Sequence, residues 1–236
     1  MKKHITLGYK LIQYNLKIIF AGKFFWFLLA AFAVFCYVMF MLAWDRAEIN
    51  EGAIYGMLMF PCLLLIFYPS VFGIQNDEDN RILEIIFGIP NYRFKVWGLR
   101  LLMVYVANFF ILAFFAYIAR LLLYPVHIAE MAAQLLFPML FFGNLAFMFS
   151  TITRSGNGTA VIMIIIGLIF SIFMGSVDII RNSFWNVFIN PFIIPTNIHP
   201  MIWQNTIIKS RIFLILSGVI FLLIGLLHLQ KREKFM

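Results

Sequence analysis

Apolar runs long enough to cross a lipid bilayer recur along almost the whole of this 236-residue sequence. A helix needs about 20 mostly apolar residues to cross a hydrocarbon core roughly 30 Å thick. Such runs lie near Phe24 to Trp44, Ala53 to Ile74, Leu101 to Tyr124, Met131 to Thr151, Thr159 to Ile179 and Ile212 to Leu229. Because 64% of the residues are apolar and only 12% are charged, a soluble fold of this size could not bury them. The sequence predicts an all-α integral membrane protein, with residues 1–236 as a single transmembrane domain.

The Lys and Arg residues outside these runs indicate the orientation of the chain, because basic residues accumulate in cytoplasmic loops. An even number of spans places both termini on one side, together with the 75–100 and 152–158 connections. Thirteen Lys and Arg residues fall on that face and five on the other, which are Arg46, Arg120, Arg181, Lys209 and Arg211. Both termini are therefore predicted to be cytoplasmic, with the protein in the plasma (inner) membrane. The net charge of +8 arises from basic residues that cluster at the ends of the apolar runs, where they set the orientation of the chain. Nucleic-acid binding is therefore not expected.

The first 23 residues precede the first span and show apolar and basic positions at helical spacing. The apolar positions are Ile5, Tyr9, Ile12, Leu16 and Ile19, and the basic positions, one heptad apart, are Lys3, Lys10 and Lys17. This pattern predicts an amphipathic helix in the cytoplasmic interface, with its lysines against anionic membrane lipid. A simple extension of the first span is the alternative.

One connection on the predicted external side is much longer than the others. Residues 180–211 contain Trp185, Trp203 and several prolines, among them Pro195 and Pro200. A loop so long and so apolar is not expected to extend freely into water. We expect it either to re-enter the outer leaflet as short helices broken at the prolines, or to pack on the span ends with its tryptophans at headgroup depth.

The cytoplasmic loop from Gln75 to Arg100 carries the pattern that is most informative about function. Charged residues there alternate with apolar residues in helical register, and Gly88 and Pro90 end the pattern. The charged residues include Asp77, Asp79 and Glu84, and the apolar residues include Leu83, Ile85 and Phe87. Acidic side chains in the first turn of a helix are stabilised by its dipole. The loop is therefore predicted to form a short amphipathic helix over residues 77–90, whose apolar face docks a cytoplasmic partner.

A motif in this loop resembles that of a known family. Leu83 and Glu84 are followed by Pro90 six residues after the Glu, by Arg93 three residues after the Pro, and by Arg100 seven residues further on. A Leu-Glu pair, a Pro, an Arg and a terminal basic residue recur at these spacings in the first cytoplasmic loop of the type-2 ABC exporter permeases. The sequence departs from the family at residues 80–81, where it has Asn-Arg in place of a common Gly-Thr pair, and at Arg100, where Lys is commoner.

The likeness extends along most of the chain, through the N-terminal helix, the six spans, the turn that runs from Ser150 to Gly156, and the long external loop. It implies that the 75–100 loop forms a coupling helix in a groove of a separate nucleotide-binding ATPase subunit. The residues that would contact this ATPase are Asp77, Asp79, Leu83, Glu84, Ile85, Phe87, Pro90 and Arg93. It also implies a pair of permeases, formed by two copies of this chain or by one copy and a similar permease.

The sequence contains no G-x-x-x-x-G-K-[ST] motif that would hold the phosphates of ATP. The chain itself is therefore not expected to be an enzyme or to carry a cofactor, and ATP and Mg²⁺ would bind the partner subunit. The four histidines are scattered, with no pair at the spacing of metal ligands. No metal site is expected.

Several polar residues fall inside the predicted spans, where they either bond neighbouring helices or contact a substrate. These candidates are Asn108, Gln134, Asn144 and Ser171. Asn108 and Asn144 lie deepest, and we favour interhelical hydrogen bonding for both. Asp178 lies near the external end of its span, where it can reach interfacial water.

Two other classes of function remain open. A secondary carrier or channel would work without an ATPase, but it predicts an ionisable site inside the membrane and usually an inverted repeat, and the sequence indicates neither. A membrane scaffold would use the acidic and apolar loop only to recruit a cytoplasmic protein. An exporter permease is the reading that the loop motif favours.

Overall fold

The chain folds into a bundle of long helices, seen in a computed structural model that describes residues 24–44, 49–79, 93–176 and 181–229. The helices are α1 (Phe24–Trp44), α2 (Glu51–Asp79), α3 (Leu99–Leu122), α4 (Ile128–Thr153), α5 (Gly156–Ser176) and α6 (Pro200–His228). One π-helical turn, Arg93–Gly98, leads directly into α3. Within the described ranges there is no β-strand. The predicted interfacial helix at residues 1–23 and the C-terminal tail lie outside these ranges.

In the described part of the chain six helices are long and apolar enough to cross a membrane, which confirms the predicted all-α, membrane-spanning architecture. The first span has the predicted bounds, and most of the others are longer than their apolar runs suggest. Helix α2, for example, continues five residues beyond Ile74 to Asp79. Hydropathy marks the part of a helix that suits the bilayer core, whereas the backbone hydrogen bonds continue until a breaker or a cap ends them.

The long external loop is shorter than predicted, because residues 200–211 belong to α6. The prediction ended the loop at Arg211, and this was wrong. His199 is the N-cap of α6, and its ring Nδ1 accepts a hydrogen bond from the Met201 backbone N–H. Pro200 follows as the first helical residue. A proline suits this position because the backbone N–H that it lacks would have no acceptor within the helix.

Helix α4 lies at the centre of the bundle and packs mainly against α6 and α2. In its most apolar stretch 67% of the residues are buried, compared with 11% in α1 and 17% in α5. Small residues allow the close approach of helices in membranes. A Cβ added at Gly143 of α4 would lie 2.6 Å from Ile66 Cγ1 of α2, and one added at Gly225 of α6 would lie 2.9 Å from Phe147 Cδ1 of α4.

The outer helices α1 and α5 expose large apolar side chains, which suits a lipid environment. Examples are Trp26 and Tyr37 on α1, which are 66% and 61% exposed, and Leu168 and Ile172 on α5, which are 58% and 63% exposed. The bundle thus has a packed centre around α4 and an apolar perimeter. By length, composition and surface, it is a membrane-embedded protein.

Candidate functional site

The predicted cytoplasmic end of the bundle joins α2 to α3 through an ion pair. Arg100 Nη1 lies 2.6 Å from Asp77 Oδ2, and the Asp77 side chain is only 3% exposed. The guanidinium of Arg100 also lies over the ring of Trp97, with its Cζ 5.2 Å from the ring centroid. A charge-assisted hydrogen bond of this length is among the stronger polar contacts in proteins. It fixes the end of α2 to the start of α3, on either side of residues 80–92.

The acidic residues Asp77 and Asp79 lie in a different place from the one predicted. They lie within α2, which continues through Asp79, instead of opening a separate helix at residue 77. No glycine or proline occurs between Gly73 and Gly88, so nothing in the sequence ends α2 at Ile74. Asp77 is buried and paired with Arg100, whereas Asp79 is exposed.

The rest of the predicted coupling segment is not among the described residues. Leu83, Glu84, Ile85, Phe87 and Pro90 all lie outside them. The backbone of Arg93 opens the π-helical turn before α3, and its side chain lies outside the described part. The coupling assignment of these residues therefore stays a prediction, and the Asp77–Arg100 pair is the part of the loop with a defined geometry.

The end of α2 is also attached to the turn between α4 and α5. Gln75 Oε1 accepts a hydrogen bond of 2.7 Å from the Gly156 backbone N–H, at the first residue of α5. Ser150 Oγ donates a bond of 3.0 Å to the backbone carbonyl of Val71. A Cβ at Gly156 would lie 2.4 Å from Gln75 Oε1, so only glycine allows this approach. A displacement at the end of α2 would therefore reach α5 directly.

Polar groups of the α4–α5 turn are used to end one helix and begin the next. Arg154 is the C-cap of α4 and adopts a left-handed backbone conformation with a φ of 56°. The Ser155 hydroxyl accepts a hydrogen bond from the Gly158 N–H, and the Thr153 and Thr159 hydroxyls lie 2.7 Å apart. The sequence motif of this turn is thus explained by helix capping.

The polar residues predicted inside the spans have different environments. Tyr105 Oη of α3 donates a hydrogen bond of 2.7 Å to Asn144 Oδ1 of α4, which is the interhelical contact expected for Asn144. Asn108 is fully buried, but neither its amide nitrogen nor its oxygen has a partner among the described residues. Hydrogen bonding to a neighbouring helix thus accounts for Asn144 and leaves Asn108 unexplained.

Gln134 binds a buried arginine that the sequence had placed in the external loop. Arg211 is only 6% exposed, and its Nε donates a hydrogen bond of 2.8 Å to Gln134 Oε1 of α4. Its Nη2 makes longer contacts of 3.5 Å to Tyr55 Oη of α2 and to the backbone carbonyl of Ile189. Its Cζ lies 5.2 Å from the centroid of the Phe137 ring.

The charge of Arg211 has no carboxylate partner among the described residues, where the Asp77–Arg100 pair is the one ion pair found. Its Nη1 also lacks a hydrogen-bond partner there. At about 1.5 Å per residue, Arg211 lies about 16 Å along α6 from Pro200. A buried cation surrounded by neutral dipoles is expensive and marks a candidate functional position.

Ser171 is an exposed residue of α5 and lies on an apolar cavity between α2, α4 and α5. The cavity has a volume of about 470 Å³, and Ser171 supplies the one polar side chain among the residues that line it. Gly56 and Phe60 of α2 face Met163 and Gly167 of α5 across this space. The arrangement could hold an apolar molecule or the tail of a lipid.

Sequence reasoning missed Arg211, Tyr55 and Gln75 as functional candidates. A signal for Arg211 does exist in the sequence, because Trp203, Ser210 and Leu214 recur at helical spacing and all three are buried on α6. Following this stripe back from the last span would have extended the helix and placed Arg211 on its buried side. Tyr55 and Gln75 carry no comparable signal.

Comparison with known proteins does not assign the chain to a group. No family model matches it, no curated protein is significantly similar to it, and no solved structure resembles it at a significant level. Within the described ranges there is also no group of three or more His, Cys, Asp and Glu side chains that could hold a metal ion. Over the residues that the structure describes, the fold defines the chain as a membrane-type bundle of six helices.

Proposed function

We propose that this chain is the membrane-spanning permease subunit of an ATP-binding cassette transporter, and that it acts as an exporter. The cytoplasmic segment of residues 80–92 would dock on a separate nucleotide-binding ATPase subunit, which would hold ATP and Mg²⁺. The sequence motif of Leu83, Glu84, Pro90 and Arg93 supports this proposal. The observation that carries it furthest is the Asp77–Arg100 ion pair, which holds the two helices on either side of the docking segment together.

This geometry suits the transmission of a mechanical force. Because Asp77 and Arg100 join α2 to α3, a partner that pushes on the segment between them would move both helices together. The Gln75–Gly156 and Ser150–Val71 hydrogen bonds would pass the displacement to the start of α5 and the end of α4. Helix α5 forms one wall of the apolar cavity that contains Ser171. The proposed cycle would thus change the width of that cavity.

A second permease completes the proposed transporter, either as another copy of this chain or as a similar protein. In the family that the loop motif resembles, two sets of six spans together enclose the pathway. The proposed setting is the plasma membrane, and the distribution of Lys and Arg favours both termini in the cytoplasm.

The proposal is tested by purifying the tagged protein from its own cells in mild detergent. We expect an ATPase subunit of roughly 25–35 kDa, the size of one nucleotide-binding domain, to co-purify in equal amount. The Glu84→Arg variant should lose this subunit because the substitution reverses a charge in the docking segment. Glu130→Arg is the matched control, since Glu130 is an exposed acidic residue at the opposite end of the bundle, and it should retain the ATPase.

The two possible results separate the functions. Loss of the ATPase in Glu84→Arg alone would support a coupling helix at this position. A wild-type protein that purifies without any ATPase would overturn the proposal and favour either an ATPase-independent carrier or a membrane scaffold that recruits another cytoplasmic protein.

One observation favours the carrier as the second candidate. Arg211 is an ionisable group buried between helices and bonded to Gln134, and such groups line ion and substrate pathways in carriers. In proteoliposomes that contain this chain alone, a carrier would move protons or inorganic anions down a gradient, and Arg211→Met would stop that flux. Absence of flux in the wild-type protein would remove this candidate.

A further inference from the structure

Helices α2 and α5 are in tight contact at one end of the bundle and leave free space at the other. At the predicted cytoplasmic end, a Cβ added to Gly156 of α5 would lie 2.4 Å from Phe72 Cδ1 of α2. Further along α5, a Cβ added to Gly167 would meet no atom within 4 Å, and the same is true of Gly56 on α2. The apolar cavity beside Ser171 occupies this open part and is lined by both of these glycines.

The apolar cavity is long and narrow. Along α2 it extends from Gly56 to Phe67, which is about 16 Å at 1.5 Å per residue. Its volume of about 470 Å³ divided by this length gives a mean cross-section of about 30 Å². A helix with its side chains is about 10–12 Å across. The cavity is therefore too narrow for a helix of a second copy of this chain, whereas an extended hydrocarbon chain is thin enough to enter it.

The depth of the apolar cavity matches one leaflet of a bilayer. Gly56 lies near the start of α2, at the predicted external end, and Phe67 lies near the middle of that helix. On α5, which runs in the opposite direction, the lining extends from Met163 to Ser171, close to the external end of the helix. Half of a hydrocarbon core of roughly 30 Å is about 15 Å. The cavity thus runs from the external side towards the middle of the membrane.

The inner side of the apolar cavity is closed by packed side chains. Phe142 and Ala146 of α4 line it there and are only 6% and 2% exposed. The ring of Phe188, from the external 181–199 segment, also lines the cavity and stacks on Phe142 with the ring centroids 5.5 Å apart. This segment therefore packs on the helix ends, which is one of the two arrangements expected for the long loop.

The outer side of the apolar cavity is open to lipid. Phe60 of α2 and Ile164 and Leu168 of α5 line it there and are 56%, 55% and 58% exposed. A buried water needs about two to four polar partners, and the lining offers the side chain of Ser171 alone. A space that stays empty also forfeits the dispersion contacts of its lining. Because the bilayer core supplies hydrocarbon chains at this depth, such a chain is the occupant that the lining favours.

We propose that the apolar cavity binds one acyl chain of a membrane lipid, which enters sideways between α2 and α5 from the external leaflet. The chain lies along α2 with its methyl end near Phe67. Its ester lies near Ser171, whose hydroxyl donates a hydrogen bond to the ester carbonyl. The site uses no residue of the proposed coupling segment and needs no ATPase, so it stands or fails independently of the proposed transporter.

The test uses the full-length protein in phosphatidylcholine nanodiscs that contain a small fraction of photoactivatable phosphatidylcholine. One probe carries a diazirine near the methyl end of an acyl chain, and a second probe carries it near the ester. After illumination, mass spectrometry locates the labelled residues. Lipid around the bundle labels perimeter residues such as Phe110 of α3, which is 65% exposed. Label on the buried residues Phe142 and Ala146 requires a chain inside the cavity.

The two glycines of the lining allow the cavity to be filled. Gly56→Phe and Gly167→Phe each add a large side chain at a position where a Cβ meets no atom within 4 Å. Ile165→Phe is the matched control, because Ile165 is an exposed residue of α5 that does not line the cavity. An unfolding midpoint equal to that of the wild type shows that a variant has folded.

We expect the methyl-end probe to label Ala146 and the ester probe to label Phe142, because Ala146 lies about 6 Å deeper along α4. This comparison uses the wild-type protein and needs no variant. Gly56→Phe and Gly167→Phe should each reduce the labelling of Ala146 by about tenfold, since losing the burial of about two methylene groups has that effect. Labelling of Phe110 should stay unchanged, and Ile165→Phe should behave as the wild type.

Three results would overturn the proposal. The first is label confined to perimeter residues in the wild-type protein; if native mass spectrometry then shows a dimer, the cavity would be assigned to a widened contact with the second copy. The second is the reverse order of depth, with the ester probe on Ala146, which would contradict entry from the external leaflet. The third is unchanged labelling of Ala146 in folded Gly56→Phe and Gly167→Phe.

Discussion

The two ends of the bundle hold their buried charges in different ways. At the predicted cytoplasmic end, Arg100 lies 2.6 Å from the carboxylate of Asp77, so the two charges compensate each other. At the predicted external end, the described contacts of Arg211 are all neutral, and its shortest hydrogen bond, of 2.8 Å, is to the amide oxygen of Gln134. One end therefore contains an ion pair, and the other contains a cation held by dipoles.

This difference separates two roles for a buried charge. An ion pair fixes two elements to each other and leaves little net charge behind, which suits a junction that moves as a unit. A cation among dipoles connects more elements, since Arg211 contacts α2, α4 and the 181–199 segment from its place on α6. Its positive charge is thus shared among neutral groups at that end of the bundle, among them the carbonyl of Ile189.

The largest effect is expected from breaking the ion pair on one side only. Arg100→Met leaves the Asp77 carboxylate buried without its partner, and such a change costs about 3–5 kcal/mol. The double variant Arg100→Met/Asp77→Leu removes both charges and should recover most of this loss. Unfolding in the same detergent, followed by circular dichroism, compares the two variants with the wild type.

The comparison of the two ends would fail if Arg100→Met and the double variant lost the same stability. Trp97, whose ring lies under the guanidinium of Arg100, would then account for the contribution of Arg100 through packing alone. Trp97→Leu in the wild-type background measures that packing contribution separately.

A smaller effect is expected at the external end, where one neutral partner can be changed into a charged one. Gln134→Leu removes the acceptor of the Arg211 Nε–H, and a hydrogen bond to a charged group contributes about 1.5–3 kcal/mol. Gln134→Glu instead places a carboxylate beside the guanidinium and should retain or raise the wild-type stability. Thermal unfolding of both variants in one detergent gives the order of stability.

If Gln134→Glu were as unstable as Gln134→Leu, Arg211 would already be neutralised in the native protein. The two ends of the bundle would then be alike. The residue providing that charge would have to be sought beyond the part of the chain described by the structure.

The helices of this protein could be predicted from the sequence because each apolar run satisfies a single physical requirement, the thickness of the bilayer. The bounds of α1 were predicted correctly, since polar residues flank its apolar run. The start of α6 was missed because residues 204–211 include Gln204, Asn205, Lys209 and Arg211, which lower the local hydropathy. Hydropathy cannot recognise a helix whose polar side chains are exposed, as those of Gln204, Asn205 and Lys209 are, or bonded to another helix, as that of Arg211 is.

The candidate site was only partly predictable for a related reason. Asp77 and Arg100 were both in the loop identified as functional, but their contact joins positions 23 residues apart in the chain. The contact between Arg211 and Gln134 joins positions 77 residues apart. A pattern within one helix shows which residues share its face, whereas the partner on another helix depends on how the bundle packs.

Between the two ends, α2 and α4 pack closely at Gly143. Gly143→Ala places a Cβ 2.6 Å from Ile66 Cγ1 and 2.7 Å from Tyr105 Oη, and overpacking of this kind costs about 1–3 kcal/mol. Gly167→Ala on α5 is the matched control, because an added Cβ there meets no atom within 4 Å. Unfolding in detergent should distinguish them, and equal stabilities would show that α2 and α4 can separate without loss.

The smallest effects are expected at Asn144 and Asn108, two buried asparagines in the middle of the bundle, and the two effects should differ in sign. Asn144→Leu removes the acceptor of the Tyr105 hydroxyl and should cost about 1 kcal/mol, the usual net contribution of one hydrogen bond. Asn108→Leu removes a buried amide without a described partner, so stability in detergent should stay equal or rise. A loss on Asn108→Leu as large as that on Asn144→Leu would show that Asn108 has a partner beyond the described contacts. In that case Asn108 would replace Arg211 as the first polar residue to examine inside the membrane.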